Sequence, residues 1–432
     1  MRALLKRLQA RVGKYRFAKN VGILAGGTVA GQIIILAASP LITRLYSPEE
    51  FGMLAVFSAI LGLLSVIASL RYEVAIPIAA DETQARNLVW LSLFIAFIIS
   101  LVLMLSLPVW NHSLAAMLKT PELSAYLWLL PIAVFAIASY QIFNYWATRL
   151  QAFGIIARTK FSQALMSVLS QLGLGVGKWG ALGLIAGQVL GQTAGVISLS
   201  SSFIRQQRRH AITYQEIKRV ALRFKRFPLY SSLSAFMNNA GLLLPALCLA
   251  AIYGPQVAGW YALSERIVKT PLNLMGQAVA QVFFSEAAKY AREDQNLFRS
   301  MVYQTARRLG LLGLLIILPL AVIAPWLISQ VFGESWRVSG LYIRMMSAMF
   351  LGQLIINPIS QTLNIVEAQL TLAILDTARV GLVVLVFWFG YTLKWTAIST
   401  ILFYSLGMSV FYVFYWLATD FHVKRFRVAS HG

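Results

Sequence analysis

The chain is poor in acids, histidine and cysteine. Of its 432 residues only 15 are Asp or Glu, four are His and one is Cys. A single thiol, Cys248, set in an apolar run, excludes an internal disulfide framework and a thiolate metal site. His112, His210, His422 and His431 are scattered and lack the ligand spacing of a metal centre, so no metal or other cofactor is expected. No Walker-type glycine loop followed by Lys-Ser/Thr occurs, so nothing points to ATP as the energy source. Charge of both signs is scarce as well, at 12% of residues, against 59% hydrophobic residues and a mean hydropathy of +0.70. That balance excludes a soluble globular domain. A net charge of +22 would suit a nucleic-acid partner if it were clustered on a polar surface. Here the cations fall between apolar blocks, and no nucleic acid is expected.

What the chain has in quantity is apolar sequence in long runs. A helix rising 1.5 Å per residue needs about 20 apolar residues to cross the roughly 30 Å hydrocarbon core of a bilayer. Twelve runs approach or exceed that length: 21–42, 51–79, 88–110, 127–148, 161–176, 179–204, 229–252, 259–286, 301–331, 339–363, 370–391 and 395–418. With the N-terminus inside, cytoplasmic segments hold 25 Lys and Arg, and outer loops hold five: Arg44, Lys119, Lys178, Arg337 and Lys394. Such a bias places both termini in the cytoplasm. Segment 1–19 carries seven cations and no acid, with Leu4, Leu8, Val12 and Tyr15 at helical spacing. It reads as a cytoplasmic segment lying on anionic membrane lipid. The apolar run that follows continues past Ala37-Ala38-Ser39 through Leu41 and Ile42, so it reads as an uncleaved first span.

A basic connection at 205–228, with eight Lys and Arg against Glu216, divides the chain. It separates a six-helix bundle at 20–204 from another at 229–418, which is followed by a cytoplasmic tail at 419–432. Tyr46-Ser47-Pro48-Glu49-Glu50-Phe51-Gly52 after the first span matches Tyr253-Gly254-Pro255-Gln256-Val257-Ala258-Gly259 after the seventh, 207 residues later. Six spans per half make the repeats parallel. The expected fold is an all-α integral membrane protein of about 12 transmembrane helices, arranged as two parallel-repeat six-helix bundles around a central cavity. Prolines 40, 77, 131, 245, 271, 319 and 358 lie within spans and each frees a carbonyl. Gly183, Gly187, Gly191 and Gly195, with the pairs Gly22/Gly26 and Gly27/Gly31, are spaced for close helix packing.

Seven cations fall inside the spans: Arg71, Arg266, Lys269, Arg307, Arg308, Arg344 and Arg379. Three acids accompany them: Glu73, Glu265 and Asp376. Charge at membrane depth is costly and persists where it meets a partner or a water-filled cavity. An excess of buried cations points to an anionic ligand. Arg71 and Glu73, two apart on a continuous helix, would face opposite sides and not pair. One would face the cavity while the other binds a neighbouring helix. Glu265 and Lys269 at i,i+4, and Asp376 and Arg379 at i,i+3, are spaced either to neutralise each other or to meet ligand. Arg266 is left over, about 100° round the helix. Asp376 is also a candidate for accepting a coupling proton or Na⁺. Arg344 has no acid within a turn, and Arg307 and Arg308 are placed to snorkel toward headgroups. The substrate-binding candidates are therefore Arg71, Arg266, Arg344, Lys269 and Arg379, with Glu73, Glu265 and Asp376 as ion-coupling or structural partners. Asn144, Asn238, Asn239 and Gln281 add buried hydrogen-bonding capacity.

The run Pro40-Leu-Ile-Thr-Arg44-Leu-Tyr46-Ser-Pro48-Glu-Glu-Phe51-Gly52 resembles the first outer turn of the Wzx-type polysaccharide-unit flippases. Ser69-Leu-Arg71-Tyr72-Glu73, followed by Arg86-Asn87, resembles their second span and the loop after it. These proteins belong to the multidrug/oligosaccharidyl-lipid/polysaccharide exporter superfamily. The recognisable motif covers roughly 18–87, and the second half is similar only in layout. The resemblance implies a substrate, an undecaprenyl-pyrophosphate-linked oligosaccharide moved between leaflets of the bacterial inner membrane. It also implies drive by an ion gradient or membrane potential, and a polysaccharide polymerase and glycosyltransferases as partners. Each chain would hold both halves needed for alternating access, and a monomer is expected.

Two alternatives stand within the superfamily or its chemistry. A multidrug or organic-ion antiporter would need unpaired acids in its cavity, whereas cations outnumber acids here. A membrane polysaccharide polymerase would need a substantial catalytic outer loop, but the longest, 111–126, offers only His112, Lys119 and Glu122. The loop Ala79-Ala80-Asp81-Glu82-Thr83-Gln84-Ala85-Arg86 lacks the Gly-rich Asp-Arg signature of major-facilitator sugar transporters. No enzymatic activity is expected.

Overall fold

The twelve apolar runs are helical, though not each as one helix, in the computed structural model, which describes residues 2–205 and 213–426. Arg208 and Arg209 of the basic connection, the end of the tail, and the side chains of the basic N-terminal segment lie outside the described residues. In chain order the helices are α1 (Arg2–Leu45), α2 (Pro48–Ile67), α3 (Glu82–Met117), α4 (Leu129–Arg149), α5 (Phe153–Val176), α6 (Ala181–Arg205) and α7 (Tyr214–Arg223). They continue with α8 (Ser232–Tyr253), α9 (Pro255–Glu293), α10 (Gln295–Phe332), α11 (Arg337–Ile359), α12 (Gln361–Ile365), α13 (Gln369–Thr392) and α14 (Ala397–Arg425). Among the described residues ten helical segments are long and apolar enough to cross a membrane, and α5 and α9 are not among them. The protein is a multi-pass membrane protein, all-α over its described residues. The chain forms two compact units. One comprises Met1–Leu45, Ile60–Leu114 and Glu122–Phe236, the other Tyr46–Ala59, Ala115–Pro121 and Met237–Gly432.

In the first unit, small residues set the helix spacing. A side chain on Gly187, Gly191 or Gly195 of α6 would strike Gln171, Ser167 or Gln163 of α5, at 2.5, 2.8 and 2.2 Å. Gly27 of α1 lies as close to Ala157 of α5, at 2.5 Å. Gly22 and Gly26, by contrast, meet nothing within 4 Å among the described residues, although their spacing suggested close packing. The expected second span also differs. Residues 51–79 do not form one helix: α2 ends at Ile67, Leu70 and Arg71 turn left-handed (φ 49° and 62°), and a 3-10 helix runs over Tyr72–Ile78. Left-handed backbone costs an L-residue with a side chain about 1–2 kcal/mol, so neighbours must sustain the break. Tyr72 Oη donates to the Ala221 carbonyl of α7 at 3.1 Å. Arg149 of α4 donates from Nη1 to the carbonyls of Ile76, Pro77 and Ala79 at 3.1, 3.3 and 2.7 Å. The basic connection is thus partly a helix. Its Val220 is buried, and its acid Glu216 accepts from Asn87 Nδ2 at 3.2 Å.

In the second unit the two copies of the sequence repeat meet. A Cβ on Gly52 would lie 1.8 Å from the Pro255 carbonyl oxygen, and one on Gly259 would lie 1.8 Å from that of Pro48. Pro48 and Pro255 are equivalent across the 207-residue offset, as are Gly52 and Gly259, so the contact is reciprocal. Proline at the first helical position and glycine one turn later let the two helix starts cross backbone on backbone. A core of Phe283, Phe298, Val302, Ile359 and Val423 ties α9, α10, α11 and α14 together. Pro325 interrupts the hydrogen-bond ladder of α10, and Gly340 of α11 sits against it, 2.5 Å from Pro325 Cα as measured from its missing Cβ position.

Candidate functional site

Within the second unit, α8, α9, α11, α12, α13 and α14 line a polar, partly open cavity of about 570 Å³. Polar residues recurring every four positions place their side chains on one helical stripe. On α9 that stripe is Glu265, Lys269 and Asn273; across from it stand Gln353 and Asn357 of α11 and Gln361 of α12. Glu265 lies ten residues from the start of α9, about 15 Å along the helix. That is about half the thickness of a hydrocarbon core.

The cavity's charges are already matched. Glu265 accepts from Lys269 Nζ, one turn on, and from Tyr261 Oη at 2.6 Å. Arg379 Nη2 lies 3.3 Å from Asp376 Oδ1 and donates to Asn238 Oδ1 at 2.7 Å. Gly241 of α8 makes room for that guanidinium, since a Cβ there would sit 3.0 Å from Arg379 Nε. Two acids and two bases thus face the same space with no net charge. Asn273, Gln353 and Asn357 are different: their carboxamides make no hydrogen bond to any described residue. Tyr412 and Tyr415 of α14 supply aromatic surface. Among the described residues no group of three or more His, Cys, Asp or Glu is placed to hold a metal ion.

Four of the eight charged candidates therefore converge: Glu265, Lys269, Asp376 and Arg379. Arg266, on the same turn of α9, does not line the cavity. It is partly buried and makes no ion pair or hydrogen bond among the described residues. Arg344 is committed elsewhere: Nε donates to the Ala321 carbonyl at 3.0 Å and Nη2 to Val322 at 2.9 Å. Pro325 lacks the N–H that would normally pair with Ala321, four residues earlier, so Arg344 replaces a missing helical hydrogen bond. Arg307 and Arg308 are exposed on α10.

Arg71 and Glu73 belong to the first unit, and there the expectation that they cannot pair is corrected. The left-handed break removes the helical geometry behind that expectation and brings Arg71 Nη1 to 4.0 Å from Glu73 Oε1. Glu73 is 1% exposed and accepts from Ser69 Oγ at 2.6 Å. Of the amides expected to be buried, Asn238 is exposed and reaches the cavity, Asn144 lies in the first unit with its Oδ1 buried and unpartnered, and the Gln281 side chain is outside the described residues. The carboxamides at 273, 353 and 357 escaped the reading of the sequence, although the i,i+4,i+8 stripe through Glu265 and Lys269 signals the first of them.

A family model described as "Polysaccharide biosynthesis protein" matches residues 41–340. The succinoglycan biosynthesis transport protein ExoT of Rhizobium meliloti is 24% identical over 306 residues. That match takes in 69% of this chain and 58% of the relative, less than two thirds of its length. Among solved structures, the lipid II flippase MurJ in an inward closed conformation superposes with a TM-score of 0.73 at 15% identity, covering 94% of this chain and 88% of that one. An inward-facing multidrug resistance MATE family transporter of the MOP superfamily gives 0.65 at 16% identity, over 92% and 96%. A MOP superfamily transporter from Pyrococcus furiosus gives 0.59 at 14%, over 94% and 96%. At these identities the likenesses establish a shared fold.

Proposed function

Because this chain belongs to the polysaccharide biosynthesis protein family, we propose that it is a flippase. Its cargo is a polyprenyl-pyrophosphate-linked oligosaccharide, carried between leaflets by alternating access and driven by an ion gradient or the membrane potential. The observation that carries the reading is Arg266. It lies about 16 Å along α9 from Pro255, partly buried, with its charge cancelled by no described acid. An unpaired guanidinium at such depth costs several kcal/mol or more, and it persists where a cavity or ligand compensates it. A pyrophosphate suits it, because guanidinium offers paired donors to phosphate oxygens and holds its charge at any physiological pH. The names of two similar proteins support the reading: ExoT is a succinoglycan transport protein and MurJ a lipid II flippase. The Lys and Arg distribution supports both termini in the cytoplasm, and the family match with its bacterial relative supports a bacterial inner membrane. Glycosyltransferases would supply the cargo and a polysaccharide polymerase would consume it, while the flippase itself works as a monomer.

The test is leaflet accessibility of a fluorescent lipid-pyrophosphate-linked oligosaccharide in proteoliposomes. Wild-type protein should expose the internal pool to an external sugar-modifying reagent, while empty vesicles do not. Transport of cationic dyes with no movement of the lipid-linked sugar would instead establish an organic-cation antiporter.

A further inference from the structure

We propose that the cavity of the second unit is a glycan subsite, one that binds the hydroxylated sugar portion of the cargo and leaves the pyrophosphate to a cation elsewhere. The inference rests on the flippase reading for its biological ligand and on the cavity's own chemistry for its specificity. A site for a dianion needs uncompensated positive charge. Here Lys269 is held by Glu265, and Arg379 by Asp376 and Asn238. With each cation matched to a carboxylate, a pyrophosphate entering the space would gain attraction from two groups and repulsion from two others. It would also lose its water.

A sugar meets the opposite situation. Every hydroxyl both donates and accepts, so it is best received by groups that do the same. Carboxamides have that property, and three of them, Asn273, Gln353 and Asn357, are left without a partner among the described residues while facing the cavity. Asn273 and Asn357 are exposed and Gln353 is half-buried, so their polar groups are open to water in the cavity and can exchange that water for the hydroxyls of a polar ligand. Tyr412 and Tyr415 add an apolar wall for the C–H face of a ring, with a hydroxyl at its edge. The volume of about 570 Å³ falls within the roughly 300–1,000 Å³ of small-molecule sites. The polar lining is spread over α9, α11 and α14, so a bound sugar would bridge three helices at once.

The experiment uses the full-length protein in nanodiscs and two soluble probes. One is the oligosaccharide released by mild acid from the host's lipid-linked intermediate, followed by saturation-transfer NMR. The other is inorganic pyrophosphate, followed by phosphorus line width. The proposal expects wild type to bind the oligosaccharide and pyrophosphate to leave that binding in place. The Gln353→Met/Asn357→Leu variant, which keeps side-chain bulk and removes the carboxamides, should bind the oligosaccharide at least tenfold more weakly. Should that variant not fold, Asn273→Leu on α9 is expected to weaken binding in the same direction. No oligosaccharide binding by wild type would overturn the proposal, as would wild-type affinity in a folded carboxamide variant or displacement of the oligosaccharide by pyrophosphate. The two readings separate cleanly. Oligosaccharide binding without leaflet exchange sinks the flippase and keeps the subsite. Leaflet exchange with binding unaffected by the substitutions sinks the subsite and keeps the flippase.

Discussion

α2 and α9 begin alike and end differently. Both follow the repeated Tyr-x-Pro signal, and both contribute a glycine one turn in, where they cross at Gly52 and Gly259. In all, α2 runs 20 residues and breaks into a left-handed turn, whereas α9 runs 39. The charges follow the same division. Arg71 lies in the break after α2 and Glu73 just beyond it, with the acid accepting from Ser69. Glu265, Arg266 and Lys269 lie in the unbroken middle of α9. Counting 207 residues either way, none of these charges has a charged counterpart. The repeat therefore organises the crossing, while the charges beyond it differ between the two copies.

The comparison predicts that the crossing is the more sensitive part of both helices. Gly52→Leu and Gly259→Leu each force a side chain onto a carbonyl 1.8 Å from the Cβ position. Overpacking of this kind costs about 3 kcal/mol or more. Thermal melts in detergent should show comparable large losses for both, while Gly26→Ala, which meets nothing, stays at or slightly above wild type. Tolerance at one glycine and intolerance at the other would break the reciprocity. A smaller effect separates the charges. A double-mutant cycle of Glu265→Gln and Lys269→Met should give a coupling of about 1–3 kcal/mol. The looser Arg71–Glu73 contact, at 4.0 Å with Arg71 27% exposed, should give about 0.2–1 kcal/mol. The reverse order would mean that the break in α2 depends on its ion pair rather than on Tyr72 and Arg149.

The helices were legible in the sequence because apolar length is a local property, and so were the pairs Glu265–Lys269 and Asp376–Arg379, set by helical spacing. The break at Leu70 and Arg71 was not. No glycine or proline stands at 68–71, Pro77 comes only later, and apolar residues resume on both sides of Arg71 and Glu73 as far as Ala79. What fixes the break is distant in sequence: the Ala221 carbonyl and Arg149. Arg344 illustrates the same limit. Its partner is a carbonyl released by Pro325 on another helix, and a backbone acceptor leaves no mark in a search for acids. The carboxamides at 273, 353 and 357 are single polar residues on separate turns, and only packing α9 against α11 shows that they share a cavity.

The central claim, that one unpaired cation on α9 receives the anionic group, is tested most directly by comparing leaflet-exchange rates of Arg266→Ala and Arg344→Ala in the same proteoliposomes. Folding is checked by melting in each case. Exchange of the lipid-pyrophosphate-linked oligosaccharide should fall about 100-fold in Arg266→Ala, in keeping with the roughly 1.5–3 kcal/mol of a charge-assisted hydrogen bond counted once or twice. Arg344→Ala should lower the melting temperature and leave the rate per folded molecule within about twofold. Equal rates in wild type and folded Arg266→Ala would contradict the account.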